Sequence, residues 1–267
     1  MLIDLDKKPY KMNLFYRKLG KGKPLFILHG LFGSCDNWQS LGKRYAENFE
    51  VYLIDQRNHG QSFHSPDWNY DFMATDIKSI CNQNGLNQIS LLGHSMGGKA
   101  AMTFALNYPE MVEHLIVVDI SPAYYPIHHR TILDSLLHLD LTLVKSRKEA
   151  ESELSKSIKN IAELQFLLKN LYWKDLENQL LAWRFNLKVI NENIEEVGKA
   201  QEGIAYTKPT LFIKGEQSNY ILDSHLNQMK SLFPKSDIVT IPSAGHWVQA
   251  EQPDAFFKAC ADFLQIR

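Results

Sequence analysis

The stretch Ile89-Ser-Leu-Leu-Gly-His-Ser95-Met-Gly-Gly98 decides the fold. A short apolar run, Ile89–Leu92, passes directly into Gly93-His94-Ser95-Met96-Gly97. A helical pattern over 96–107 follows and stops at Asn107-Tyr108-Pro109, where proline ends a helix. The pattern G-x-S-x-G between a strand and a helix describes a sharp turn that lifts the serine hydroxyl above the sheet edge in a strained conformation. Glycines two residues to either side remove the Cβ atoms that would clash there. For this composition the pattern arises by chance about 0.05 times, and the strand-turn-helix context lowers that further. The competing reading is a glycine-flanked serine in an ordinary βα turn.

Outward from this turn the same grammar repeats. Continuous apolar runs at Leu25–Leu28, Val51–Ile54 and Leu115–Val118 predict strands buried on both faces. Helical patterns lie near 37–48 and 71–84. Leu2–Leu5 and Met12–Arg17 read as two further strands joined at Lys7-Lys8-Pro9. The grammar returns late, with a strand Thr210–Ile213 after Pro209, a helix near 222–232, a strand Asp237–Ile241 and a closing helix over 253–265. Alternating strands and helices predict an α/β fold: a mostly parallel central sheet flanked by helices. From 123 to 205 no strand-like run is bounded by turns. Amphipathic helices are predicted instead at 128–138, 147–159 and 161–171, with one or two between 176 and 200. The predicted organisation is therefore a core of residues 1–122 and 206–267, with a helical lid, 123–205, inserted between two strands of one sheet. No Gly-, Pro- or Ser-rich linker marks its edges, which favours a lid packed on the core over an independent module.

Composition narrows the function classes. The chain has 267 residues, 45% hydrophobic and 22% charged, as in an ordinary globular protein. Lys and Arg total 29 against 30 Asp and Glu, so no global field exists to hold a nucleic acid. Mean hydropathy is −0.27, and no apolar run approaches the ~20 residues that span a bilayer. Acidic residues interrupt the first positions, so no signal peptide is expected. Cys35, Cys81 and Cys260 are odd in number and far apart, giving neither a disulfide framework nor a zinc site. A reduced, cytoplasmic protein with incidental thiols is the expectation. No Walker or dinucleotide glycine pattern occurs, and no metal or organic cofactor is expected.

The chemistry needs partners for Ser95. His29-Gly30-Leu31-Phe32-Gly33 follows the strand Leu25–Leu28. In this architecture the loop there gives one backbone N–H to an oxyanion hole, and the residue after the nucleophile gives the other. These would be Leu31 and Met96, whose side chains need not be polar. A general base is expected at His246, in Gly245-His246-Trp247 after the strand Asp237–Ile241. His29 and His94 lie inside the two motifs and are expected to shape their loops. His59 sits in a tight turn after a strand. His128, His129 and His138 are expected to be surface or lid residues. For the acid, the chain order Ser, acid, His leaves two carboxylates. Asp119 ends the strand after the nucleophile helix, although an aspartate there can also merely cap the next turn. Glu216 follows the strand after the insertion, two residues before the position where an acid would stand and where the chain has Ser218.

Together these segments resemble the α/β-hydrolase superfamily, and within it the YbfF-type small esterases and related abhydrolase-domain proteins. The resemblance rests on Leu28-His-Gly-Leu-Phe-Gly-Ser34 with Asp36-Asn-Trp38, Asp55-Gln-Arg-Asn-His-Gly60 with Ser62, Gly93-His-Ser-Met-Gly-Gly-Lys99 and Val118-Asp-Ile-Ser-Pro122. It continues through Gln165–Lys169, Trp183-Arg-Phe-Asn186 and Gly245-His-Trp-Val248. It runs from about residue 24 to the C-terminus. It implies Asp119 as the acid, in place of the post-insertion position, and Ser218 as an auxiliary hydrogen-bond partner of Asp119. Family members often carry G-G-N-S before a following aromatic. Here the stretch reads Gly215-Glu-Gln-Ser218-Asn-Tyr220, so Glu216 is a departure that leaves a second carboxylate candidate. The expected activity is a serine carboxylester hydrolase acting through an acyl-enzyme on a small ester or thioester of short to medium acyl chain. The insertion would cover the acyl pocket, its larger apolar groups being Leu136, Leu137, Phe166, Leu167, Trp173, Trp183 and Phe185. The alternatives are cleavage of a C–C bond or use of peroxide on the same residues, or a hydrolase-fold binding protein with a silent site.

Overall fold

The computed structural model describes residues 13–266. The predicted strand Leu2–Leu5 lies outside them. The chain opens with β1 (Tyr16–Leu19), β2 (Lys23–Leu28), α1 (Gln39–Tyr45) and β3 (Phe49–Ile54). It continues through α2 (Tyr70–Gln83), β4 (Ile89–His94), α3 (Met96–Asn107) and β5 (Val112–Val118). Seven strands form one sheet in the order β1-β3-β2-β4-β5-β8-β9, in which β8 is Thr210–Gly215 and β9 is Ser236–Ile241. Only β1 runs antiparallel; it pairs with β3 from Tyr16 opposite Ile54 to Leu19 opposite Val51. It begins later than the predicted Met12–Arg17.

Every residue of β4 is buried, which is why the strand reads as a run and not as an alternation. Its side chains still divide by parity between the two faces. Leu91 joins the apolar cluster that includes Met73 and Ile77 of α2 and Phe104 of α3, while Leu92 joins the opposite one, with Trp38, Leu41 and Phe256. Each such fully buried leucine contributes roughly 1.5–3 kcal/mol.

Between β5 and β8 the chain forms α4 (Arg130–His138), α5 (Arg147–Leu154), α6 (Ile161–Leu168), β6 (Leu171–Asp175), β7 (Leu180–Trp183), α7 (Leu187–Glu192) and α8 (Glu195–Gly198). The expectation of helices alone fails here. β6 and β7 form an antiparallel hairpin separate from the main sheet, with Leu171 opposite Trp183. The cause is local. Tyr172 and Trp173 favour extended backbone, and the Asp175 carboxylate closes the turn by accepting from Asn178 N (3.0 Å) and Nδ2 (2.7 Å). Leu133, Leu136, Leu164, Leu167 and Phe185 are buried in the same cluster as Phe32 and Met96, so the insertion shares the core's apolar interior. Leu137 and Trp173 are exposed.

One buried lysine ties both ends of the insertion to α3. Lys99 Nζ donates to Ala123 O (2.7 Å) and to Lys199 O, and lies 4.9 Å from the centre of the Tyr125 ring. Carbonyl oxygens and a π face thus surround the ammonium where water cannot. Gln201 N donates to Pro122 O (2.7 Å) beside it. After β8 come α9 (Leu226–Leu232), β9, α10 (Val248–Glu251) and α11 (Pro253–Leu264), whose Phe256 and Cys260 pack beneath the sheet. No helix among the described residues is long and apolar enough to cross a membrane.

Candidate active site

β4 and β5 end side by side, His94 opposite Val118, and this register assembles the site. Ser95 follows β4 with φ 53° and ψ −118°, a backbone conformation that few non-glycine residues adopt. Its N–H donates to Val118 O (2.9 Å), which fixes the turn to the neighbouring strand. A Cβ on Gly93 would lie 2.2 Å from Gly97 O, and one on Gly97 would lie 2.5 Å from His29 O. Both positions therefore require glycine if the turn is to close against the loop after β2.

Asp119 follows β5, also with positive φ (49°), and is fully buried. Its carboxylate is completely engaged. Oδ1 accepts from Gly215 N (3.0 Å), and Oδ2 accepts from Ser218 Oγ and pairs with His246 Nδ1 at 2.7 Å. A carboxylate held at three points cannot rotate away from the imidazole. The bond to Nδ1 leaves His246 Nε2 as the proton acceptor. His246 and Ser95 line one cavity. Among the described residues Ser95 Oγ has no hydrogen-bond partner, as is common for such hydroxyls before a substrate binds.

Glu216 lies elsewhere. Its exposed carboxylate accepts from Ser243 N (2.8 Å) and so braces the loop that carries His246. Ser243 has φ 57°, so the acid supports a left-handed turn.

The loop after β2 passes beside the serine. A Cβ on Gly30 would lie 3.4 Å from Ser95 Cβ. The turn uses Gly33 N, which donates to Gly30 O (2.9 Å), and Phe32 N, which donates to His59 Nε2 (3.2 Å). Neither bond consumes the Leu31 N–H. Met96 is the first residue of α3, so its N–H has no acceptor within the helix. Leu31 lines the cavity with Ser95, and Met96 follows Ser95 directly.

Three histidines hold the frame in neutral form. Burial pushes His29 down to about 4, and it pushes His59 and His94 down to about 3, with a neighbouring imidazole adding to the effect in both. His29 Nε2 accepts from Gln56 N (3.0 Å) and His59 Nε2 from Phe32 N, so each carries its proton on Nδ1 and donates it to a carbonyl. His94 Nε2–H donates to His246 O (2.9 Å), which fixes the backbone of that histidine.

Some contacts carry no motif. The Tyr220 ring stacks on His246 at 4.0 Å and 20°, and its hydroxyl bonds His128 Nε2 at 2.6 Å. The aromatic after Ser218 was a visible signal, but its stacking partner was not. His128 and His129, expected on the surface or lid, both line the cavity with Ser95. His129 Nδ1 is buried there without a partner among the described residues. The cavity holds about 350 Å³ and is walled by Leu31, Ile132, Ile158, Phe166 and Trp247, with Lys159 and Glu163 among its polar groups. Phe166 of the insertion meets Trp247 at 5.5 Å. Among the described residues no cluster of three or more His, Cys, Asp or Glu is arranged to hold a metal ion. The arrangement can take a proton from a serine hydroxyl, stabilise the resulting imidazolium and present N–H groups to a developing oxyanion.

The chain is similar to known proteins over most of its length. Residues 23–253 match the alpha/beta hydrolase fold family. The sn-1-specific diacylglycerol lipase ABHD11 of Danio rerio is 39% identical over 255 residues, spanning 92% of this chain and 80% of that protein. Esterase YbfF of Escherichia coli (strain K12) is 31% identical over 242 residues, spanning 90% of this chain and 92% of that protein. A solved structure described as a marine microorganism esterase superposes with a TM-score of 0.91 at 42% identity, covering 94% of this chain and 99% of that one.

Proposed function

The chain belongs to the α/β-hydrolase family and is an ester hydrolase, and we propose that it works as a serine esterase on small esters or thioesters of short to medium acyl chain. The observation that carries this reading is the fully buried Asp119 bonded at 2.7 Å to His246, in one cavity with a serine on a strained turn. In the proposed reaction Ser95 Oγ attacks the acyl carbon while His246 Nε2 takes its proton. The carbonyl electrons move onto oxygen, held by the N–H groups of Leu31 and Met96. Collapse expels the alcohol or thiol, protonated by His246, and leaves Ser95 acylated. Water, deprotonated by His246, then releases the acid. Asp119 stays ionised and holds the imidazole in its working tautomer, with Ser218 steadying the carboxylate.

The segment 123–205 acts in this proposal as a lid. It supplies Ile132, Ile158 and Phe166 to the cavity wall, and a space of about 350 Å³ favours shorter acyl chains. The three cysteines are buried free thiols, which supports a reducing, cytoplasmic setting. The experiment pairs labelling by a fluorophosphonate, mapped by mass spectrometry, with a series of p-nitrophenyl esters from C2 to C18 and a diacylglycerol, the substrate class in the zebrafish relative's name. Labelling at Ser95 and an optimum below about C12 are expected, because each added CH₂ gains only where the cavity has room. Absence of label, or activity rising to C18 or on the diacylglycerol, contradicts the corresponding half of the proposal.

A further inference from the structure

The oxyanion loop is held from two sides, and one of the two holders belongs to the insertion. Phe32 adopts φ 58°, a left-handed backbone that a large side chain rarely takes unaided. Its N–H donates to His59 Nε2 (3.2 Å), from the turn after β3. Its carbonyl accepts from Asn170 Nδ2 (2.8 Å), from the junction between α6 and β6. Asn170 is buried, and its own carbonyl accepts from Arg184 N (2.9 Å), across the hairpin. Phe185, two residues beyond that hairpin's β7, packs its ring 5.0 Å from the Phe32 ring. The insertion therefore grips Phe32 by both carbonyl and side chain. The core grips the same residue by its N–H.

We propose that Asn170 is a positioning residue for ester hydrolysis: by fixing the Phe32–Gly33 peptide, the insertion sets the direction of the Leu31 N–H toward the Ser95 oxyanion. This rests on the serine-esterase reading above. A donor aimed where charge develops must be held before the charge appears, since reorganising it during the reaction forfeits most of its value. The Leu31 N–H belongs to the Gly30–Leu31 peptide, whose carbonyl, Gly30 O, accepts from Gly33 N (2.9 Å). His59 holds only the intervening Leu31–Phe32 peptide and leaves rotation about the Phe32 Cα free. Asn170 holds Phe32 O, and so the Phe32–Gly33 peptide whose N–H is bonded to Gly30 O, which ties the Leu31 N–H to the insertion. Asn170 touches no reacting atom and acts only through this peptide.

The test separates transition-state from ground-state effects. Asn170→Asp keeps the shape but places an acceptor where the donor stood, and Asn170→Ala removes the group without charge. Each is assayed on one p-nitrophenyl butyrate series for kcat and KM. Each is then titrated with a trifluoromethyl ketone and with the matching methyl ketone. Ser95 Oγ adds to the fluorinated carbonyl carbon, its proton passes to His246, and the carbonyl electron pair becomes an oxyanion; the methyl ketone binds without this step. Both variants should lose about 10- to 100-fold in kcat with KM within about threefold. Trifluoromethyl ketone affinity should fall by the same factor, with methyl ketone affinity unchanged. His59→Asn, which disturbs the adjoining Leu31–Phe32 peptide from the core side, should show the same signature and provides the reading should an Asn170 variant fail to fold. Discrimination between the ketones in the wild type that persists undiminished in the folded variants overturns the proposal alone. A wild type that does not discriminate overturns the esterase reading and the proposal with it.

Discussion

The strand ends at β4 and β5 and the insertion between β5 and β8 meet at one cavity, but they are built by different means. At the strand ends, position follows from backbone. Register places His94 opposite Val118, Ser95 N–H bonds Val118 O, and Asp119 follows directly. In the insertion, position follows from side chains far apart in sequence: Asn170 on Phe32, Phe166 on Trp247, Phe185 on Phe32. In the proposed reaction the first region specifies which atoms react. The second shapes the space around them and, through Asn170, one of the groups that would stabilise them. Backbone register tolerates little change, whereas a packed wall can be recut.

The largest effect should come from the first region. Ser95→Ala should lower kcat by about 10⁴ or more while the thermal unfolding curve stays in place. Retention of a tenth of the activity would remove Ser95 from the mechanism.

Acid sensitivity should come from both regions. His29, His59 and His94 at strand ends are neutral in the folded chain, held near 4, 3 and 3 by burial, and His129 of the insertion is held near 3 by the same cause. Unfolded, each takes a proton below its ordinary value near 6.5. As pH falls through that value the unfolded chain binds protons the folded chain refuses. Stability is then lost between about pH 6.5 and 3 and is untouched above that window. With four such groups the slope near pH 5 should reach up to about 5 kcal/mol per pH unit. Urea unfolding at pH 7.5, 6 and 5 measures it, and a flat midpoint would show these imidazoles to be charged or exposed.

A smaller loss is expected at Ser218→Ala, about tenfold in kcat, since Asp119 keeps its charge and its bond from Gly215 N. A loss equal to that of removing the carboxylate would make Ser218 as necessary as the acid. Smallest in rate, but distinct in kind, is Phe166→Ala in the insertion. It should shift the preferred acyl chain by about two to four carbons toward longer esters, with activity on the shortest ester within about threefold. An unchanged optimum together with a collapse of activity on all esters would erase the division between the two regions.

Legibility divided along the same line. Ile89–Leu92 and Leu115–Val118 read as buried strands because a parallel strand covered on both faces is apolar without interruption. Ser95 was readable as a candidate because its turn demands glycine neighbours, and His246 because chain order sets it after β9. The hairpin at 171–183 was not. Leu-Tyr-Trp-Lys-Asp is too short for periodicity to separate strand from helix, and its turn depends on Asp175 and Asn178 bonding each other. Asn170, Tyr220 and His128 act through contacts with residues distant in sequence, on which local pattern carries no information. The residues left two carboxylates open for the acid and the family resemblance favoured Asp119; tertiary distance ranks them in the same order.

That ranking is the account's central claim, and one comparison of variants tests it: kcat of Asp119→Asn and Glu216→Gln on the same short-chain ester. Asp119 bonds His246 at 2.7 Å from a fully buried position, whereas Glu216 is exposed and accepts from Ser243 N. The account predicts a loss of about 10²–10⁴ for Asp119→Asn, since a neutral amide favours the wrong imidazole tautomer, and less than about tenfold for Glu216→Gln. A larger loss at Glu216 than at Asp119 would contradict it and return the acid to the strand after the insertion.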